Sequence, residues 1–181
     1  MRGHRDPLAD PKPLIPRLYR YCAYMLGDGA DAEDVASETW ERALRYRSSY
    51  DPRKGAPLTW LIAIAAGCIR DRNAATARRP LVLTGDAEER ADAGDLAEEA
   101  ALRVTVQKVV DGLGEREREL VALRYGAGLT ARQIGELLGL RTNAAEVALH
   151  RLNARLREAL AAEDPPAGSA ARKGLDLVTD I

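Results

Sequence analysis

Residues 130–156 restrict the possible folds more than any other stretch of the chain. Thr130-Ala-Arg-Gln133 has the spacing of a capping box, in which a threonine hydroxyl and a glutamine side chain each satisfy an orphan amide at a helix start. Ile134, Leu137 and Leu138 then fall on one face of a short helix. Gly139-Leu140-Arg141 makes a tight turn, and Thr142 or Asn143 can cap a longer helix with Val147, Leu149, Leu152 and Leu156 inward. A short helix, a glycine turn and a second capped helix form a helix-turn-helix, the motif that lays its second helix in a DNA groove.

The same periodicity runs upstream. Leu14, Leu18, Cys22 and Met25 recur at helical spacing, with Ile15, Tyr19 and Leu26 beside them, until Gly27-Asp28-Gly29 stops the stripe. Asp31 is a suitable N-cap for a second helix, with Glu33 and Asp34 in its first turn and Ala36, Trp40, Ala43 and Leu44 on its apolar face. Arg47–Pro57 reads as a loop from its Ser, Pro and Gly content. A third helix follows Pro57, with Trp60 or Leu61, Ile64, Ala65 and Cys68 inward. Residues 81–97 are acidic and poor in large apolar side chains, the composition of a linker. Further helices begin near Glu98, with Leu102, Val106, Val109 and Val110, and at Glu115–Tyr125, with Leu120, Val121 and Leu123.

These signals predict an all-α protein: two small helical domains joined by a flexible acidic linker, the second a helix-turn-helix. The expected divisions are a loose N-terminus at 1–13, a first domain at 14–80, the linker at 81–97, a second domain at 98–162 and a disordered tail at 163–181. Composition agrees, because 46% of residues are hydrophobic while aromatics total 4% and Phe is absent. Cores of Leu, Val, Ile and Ala favour helices over sheets.

Charge is distributed in blocks. Residues 1–79 carry 14 basic and 10 acidic side chains, 80–119 carry 5 and 11, and 120–160 carry 6 and 3. Two basic modules on an acidic connector suit two nucleic-acid-facing units. Cys22 and Cys68 stand on apolar stripes and read as buried free thiols; with His4 and His150 far apart there is no metal-ligand spacing. No nucleophile with an adjacent base and no phosphate-cradling Gly-rich loop can be assembled, so neither an enzyme nor a cofactor is expected. MRGHRDPLADPKP lacks an apolar signal core, and no apolar run approaches membrane-spanning length, so the expected location is the cytoplasm without membrane insertion.

Two stretches carry a resemblance. LYRYCAYMLGDGADAEDVASETWERALRY, with the later YDPRKGAPLTWLIAIAAGCIRDR, resembles the promoter-melting domain of the bacterial extracytoplasmic-function (ECF) sigma factors. LGERERELVALRYGAGLTARQIGELLGL, with ALHRLNARLRE, resembles their C-terminal helix-turn-helix domain. The resemblance implies a subunit that directs RNA polymerase to promoters, opens the strands and initiates transcription. Its implied partners are promoter DNA, the clamp helices of the polymerase's largest subunit and its flap region, with an anti-sigma factor as a further one.

Site residues follow from the same resemblance. The matching polymerase-binding positions are Asp31, Glu33, Asp34, Glu38 and Arg42; for Asp31 and Asp34 helix capping is an alternative, compatible role. The loop that captures a flipped base of the minus-ten element corresponds to Ser48, Ser49, Tyr50, Arg53 and Lys54. Strand opening needs cations for phosphates and a surface for unstacked bases. Arg53 and Lys54 meet the first need, and Tyr50 or Trp60 the second, unless Trp60 is core. Arg70, Arg72, Arg78 and Arg79 continue a basic edge. For the minus-thirty-five element the positions are Arg132, Gln133, Arg141, Thr142, Asn143, Glu146, His150, Arg151 and Arg155, with Gln133 also the return partner of the capping box.

The chain departs from the family pattern where its recognition helix reads NAAEVALHRLN, against a usual sequence close to GTVKSRLHRAR. Glu146, Val147 and Ala148 replace two cations and a serine, and Glu146 can accept a hydrogen bond from a cytosine amino group. Ala66-Gly67 replaces a usual Arg-Asn. Two other readings are a sigma mimic that sequesters an anti-sigma factor and a simple helix-turn-helix regulator.

Overall fold

The structure, a computed structural model, describes residues 6–78, 108–110 and 112–162. The linker, the start of the helix expected from Glu98, Arg79 and the tail lie outside the described residues.

Every regular element among the described residues is helical. Helix α1 spans Ile15–Leu26, with Pro16 in its first turn, where a missing N–H costs nothing. The Pro11 carbonyl accepts from the amides of Leu14 and Ile15 at 3.0 Å each, which leads the chain into the helix. The segment before it is not wholly loose: Pro7 and Leu8 are buried, and Leu8 joins the core.

Helix α2 spans Ala30–Tyr46 and its N-cap is Gly29, not Asp31. Asp31 therefore sits inside the first turn, and its carboxylate reaches Arg72 instead of a capping amide. The inward row of α2 is Ala32, Val35, Thr39 and Ala43. Leu44 lies about 100° round from Ala43 and is 45% exposed, so it does not share the apolar face as expected. Helix α3, Pro57–Arg78, buries Leu58, Leu61, Ile62, Ala65, Cys68 and Ile69. Its inward residue is thus Leu61, with Trp60 half-buried beside it. Cys22 and Cys68 are both buried and free. Burial, with the Cys68 thiol nearby, pushes Cys22 up to about 12.

The second unit contains α4 (Glu115–Val121), a π-helical segment (Ala122–Gly126), α5 (Ala131–Leu138) and α6 (Thr142–Ala162). The widened turn shows in the Ala127 amide, which donates to the Ala122 carbonyl five residues back at 2.8 Å. In α6 the buried row is Ala145, Leu149, Leu152 and Leu156. Val147 was expected on that row but is 43% exposed. It lies two residues from Ala145, about 200° round the helix.

The two units pack directly on one another, and their buried side chains form one continuous apolar cluster. Helix α1 makes a more extensive contact with the π segment than with α2 or α3. A Cβ at Gly126 would stand 3.0 Å from backbone atoms of Arg20 and Tyr21, so a side chain there would force the two backbones a few tenths of an ångström apart.

Candidate nucleic-acid interface

The acids of α2 form an exposed row that is cross-linked to α3. Arg42 donates to Asp71 at 2.9 Å and to Glu38, one turn earlier, at 2.6 Å. The hydrogen bond to Asp71 is the main cause that raises the Arg42 guanidinium above its ordinary value. Asp31 pairs with Arg72. Two expected groups are therefore brought together: Arg72, assigned to the basic edge, and Asp31, assigned to polymerase, neutralise each other. Glu33 and Asp34 are exposed, as is Arg70. Arg78 is the last residue of α3.

Between α2 and α3 the chain makes a tight 3-10 turn at Arg47–Ser49. The Ser49 hydroxyl donates to the Tyr46 carbonyl at 2.7 Å, while Ser48 is exposed. Tyr50 is only 6% exposed. Its hydroxyl donates to the Gly55 carbonyl at 2.9 Å, and its ring meets Trp60 edge-on with centroids 5.6 Å apart. Burial is also what raises its pKa most. Tyr50 therefore braces the loop from inside and is not an open surface for bases, contrary to expectation. Asp51 accepts from the Arg53 amide at 3.0 Å and from its guanidinium at 3.0 and 3.1 Å. The Arg53 guanidinium holds the Asp51 carboxyl below the usual carboxylate range. Arg53 stays 88% exposed, and Lys54 is exposed beside it. The large aromatic that does face solvent is Tyr46, at 53%. It was missed because it ends a helix instead of lying in the loop; the available signal was its place off the inward row, between Arg45 and Arg47.

The helix-turn-helix closes as its sequence requires. The Gln133 side chain accepts from the Thr130 amide at 2.9 Å, and the Gln133 amide donates to the Thr130 hydroxyl at 3.3 Å. Gln133 is thus occupied as a capping partner. Gly139, at φ +67°, makes the left-handed turn between α5 and α6. Helix α6 starts at Thr142, and the Ala145 amide donates to the Arg141 carbonyl at 3.1 Å. The N-cap position thus falls to Arg141, ahead of both expected caps, Thr142 and Asn143. Arg141, Thr142, Asn143, Glu146, Val147, His150 and Arg151 form one exposed face. Arg132 pairs with Glu136 along α5 at 2.9 Å. Arg155 turns away from the reading face and donates to Glu117 of α4 at 2.6 Å, which makes it a brace between helices.

Arg17, which no motif singled out, joins the two units. Its Nε donates to the Ala127 carbonyl at 2.6 Å and its Nη2 to the Gly128 carbonyl at 2.7 Å. A cleft of about 370 Å³ beside it is lined by Leu14, Pro57, Leu58 and Gln133, so the start of α5 faces the end of the α2–α3 loop. Among the described residues no group of histidine, cysteine and acidic side chains could hold a metal ion, and no helix is long and apolar enough to cross a membrane.

The first unit matches the family described as Sigma-70 region 2, over residues 12–79. The second matches Sigma-70 region 4, over residues 103–160. The chain is 34% identical to the ECF RNA polymerase sigma factor ShbA of Streptomyces griseus, over 84% of each chain. It belongs to the ECF RNA polymerase sigma factors. The sigma factor SigD of Mycobacterium tuberculosis is 31% identical, over 88% of this chain and 80% of its own. Among solved structures, the sigma factor RpoE in complex with the anti-sigma factor NepR, from Bartonella quintana, shares the fold. Its TM-score is 0.61 at 16% identity, over 83% of this sigma factor and 93% of that chain. The sigma factor therefore carries regions 2 and 4 in one chain and is a transcription-initiation factor by family.

Proposed function

We propose that this sigma factor brings core RNA polymerase to a promoter read in two places, with its first unit opening the minus-ten element and α6 lying in the major groove of the minus-thirty-five element. The observation that carries this reading is the exposed face of α6, Arg141 to Arg151, held by a formed helix-turn-helix in a chain that also retains a complete first unit. Asp34 and Glu38, with Asp31, Glu33 and Arg42 around them, dock on the clamp helices of the largest subunit, and the second unit reaches the flap. Arg53 and Lys54 hold phosphates beside the loop that accepts the flipped base, with Ser48 and Ser49 at its edge. Arg70 and Arg78 follow the backbone. In the second unit Asn143, Glu146 and His150 face base edges, with Arg141 and Arg151 on phosphates.

Run-off transcription with purified core polymerase and a promoter library tests this directly. Transcripts from defined starts that depend on the protein are expected. Their absence, with an active control sigma factor in parallel, would overturn it.

A second reading is favoured by one feature: Glu146 stands outward on α6, where the family pattern has a lysine, and Ala148 replaces a second cation. A chain weakened for DNA in this way would act by sequestering an anti-sigma factor. In either case an anti-sigma factor is a proposed partner, as NepR is for RpoE of Bartonella quintana. Retained affinity for core polymerase distinguishes the sigma factor from the mimic.

A further inference from the structure

The cleft of about 370 Å³ beside Arg17 has walls and a rim of different character. Leu14 and Leu58, both buried, line it with Pro7 and Pro57 as apolar surface. Asp6 and Asp10 stand exposed at the rim. Asp6 has Arg47 at 3.9 Å, whereas Asp10 has no ion pair among the described residues. Arg17 brings no free charge to the cleft, because the Ala127 and Gly128 carbonyls hold its guanidinium. Gln133, from the second unit, uses its side-chain oxygen on Thr130 and keeps its NH2 donors for a carbonyl. The occupant that fits is a short apolar stretch of backbone with a cation beside it.

The chain carries such a stretch at residues 172–181, RKGLDLVTDI. Arg172 and Lys173 lead it. In an extended chain Leu175, Leu177, Thr179 and Ile181 fall on one face, with Asp176 and Asp180 on the other. From Ala162, the end of α6, the backbone to Leu175 can reach about 43 Å. A compact chain of this length has a radius of gyration of roughly 16 Å, so that reach extends to any side of it. Two other stretches fit less well. Leu81-Val82-Leu83 also follows cations, but it departs from Arg78, about 30 Å along α3 from Leu58, and the residues up to Leu83 span at most about 18 Å. The stretch 86–99 is acidic and would meet Asp10 with like charge.

We propose that residues 172–181 dock in this cleft, with Leu175 and Leu177 on its apolar walls and Arg172 and Lys173 beside Asp6 and Asp10. The walls come from both units, so an occupied cleft ties the units together at a third place besides Arg17 and Gly126. The contact needs neither polymerase nor DNA, and its failure would leave the promoter reading untouched.

The test uses the full chain, dilute and alone, treated with a zero-length carbodiimide that joins an amine to a carboxylate in direct contact. Mass spectrometry of the digested monomer should find Lys173 joined to Asp10 or Asp6. In the double variant Leu175→Ser, Leu177→Ser, which keeps Lys173, that product should be lost, and amide exchange at residues 56–60 should quicken. Val178→Ser, on the opposite face, should keep both the product and the slow exchange. A wild-type monomer without the product would overturn the proposal, as would a product that survives the double variant or is lost equally in Val178→Ser. A product found only in dimers would overturn it too, because the occupant would then be a second copy of the chain.

Discussion

Glu146 and Val147 stand side by side on the outward face of α6, and their chemistry predicts how this helix treats DNA. A carboxylate there repels phosphates and accepts only from a donor such as the cytosine amino group, while a valine suits a thymine methyl. Glu146→Lys should strengthen binding to unrelated duplex DNA and steepen the dependence of log K on log salt by about one unit, the effect of roughly one phosphate contact. Fluorescence anisotropy across a salt series measures both. A second residue-scale prediction concerns Asp51. Its folded pKa is depressed, chiefly by the hydrogen bond from Arg53. The pairing is therefore complete above the ordinary carboxylate value of about 4 and is lost as pH falls through the lowered folded value. Amide exchange in the 50–55 loop should accelerate in that acid window. In Asp51→Asn the loop should lose this pH response; an unchanged response would assign it to another group.

The elements differ in how far local chemistry determines them. The capping box of α5 is written in Thr130 and Gln133 and forms as written, with two reciprocal hydrogen bonds. Thr130→Ala should lower thermal stability by about 1 kcal/mol, readable as a shift in the melting transition, with DNA contacts of α6 weakened in step because α5 supports it. The start of α2 is another matter. Asp31 has the right chemistry for a cap, but Gly29 takes the position, and Asp31 finds Arg72, forty-one residues away. Arg151 and Arg155 lie four residues apart on one helix and still have different surroundings, since only Arg155 reaches Glu117 of α4. Arg155→Gln should therefore leave the salt dependence of DNA binding unchanged and lower stability by less than about 1 kcal/mol, the range for an exposed pair.

At the scale of the molecule, the direct packing of the two units has a consequence for promoter binding. Elements named for positions ten and thirty-five are twenty-five base pairs apart by name, or about 85 Å at 3.4 Å per pair. Units joined through Gly126 and Arg17 do not span that length, so on the proposed reading they must separate before both elements are held. Gly126→Ala places a Cβ against the backbone of α1, and Arg17→Met removes both hydrogen bonds to the second unit. Either should raise the radius of gyration above the roughly 16 Å of a compact chain of this length, with helix content by circular dichroism unchanged. Small-angle scattering is the measurement. Variants as compact as the wild type would show that the remaining apolar contact holds the units together without these two residues.

Sequence alone determined the described helices, the helix-turn-helix and the family, because each depends on short-range spacing: apolar periodicity, a capping box four residues long, and motifs contiguous in the chain. It also placed the α2–α3 loop and the exposed start of α6. Which side of each residue faces solvent was decided by tertiary packing. Val147 turned outward because Ala145 took the inward row, Tyr50 turned inward because Gly55 and Trp60 close over it, and Tyr46 was left exposed. The junction between units was also a tertiary outcome. Arg17 and Gly126 lie more than a hundred residues apart, and neither carries a local signal of its partner. Periodicity states that a helix has two faces, but only the neighbouring helix decides what each face meets.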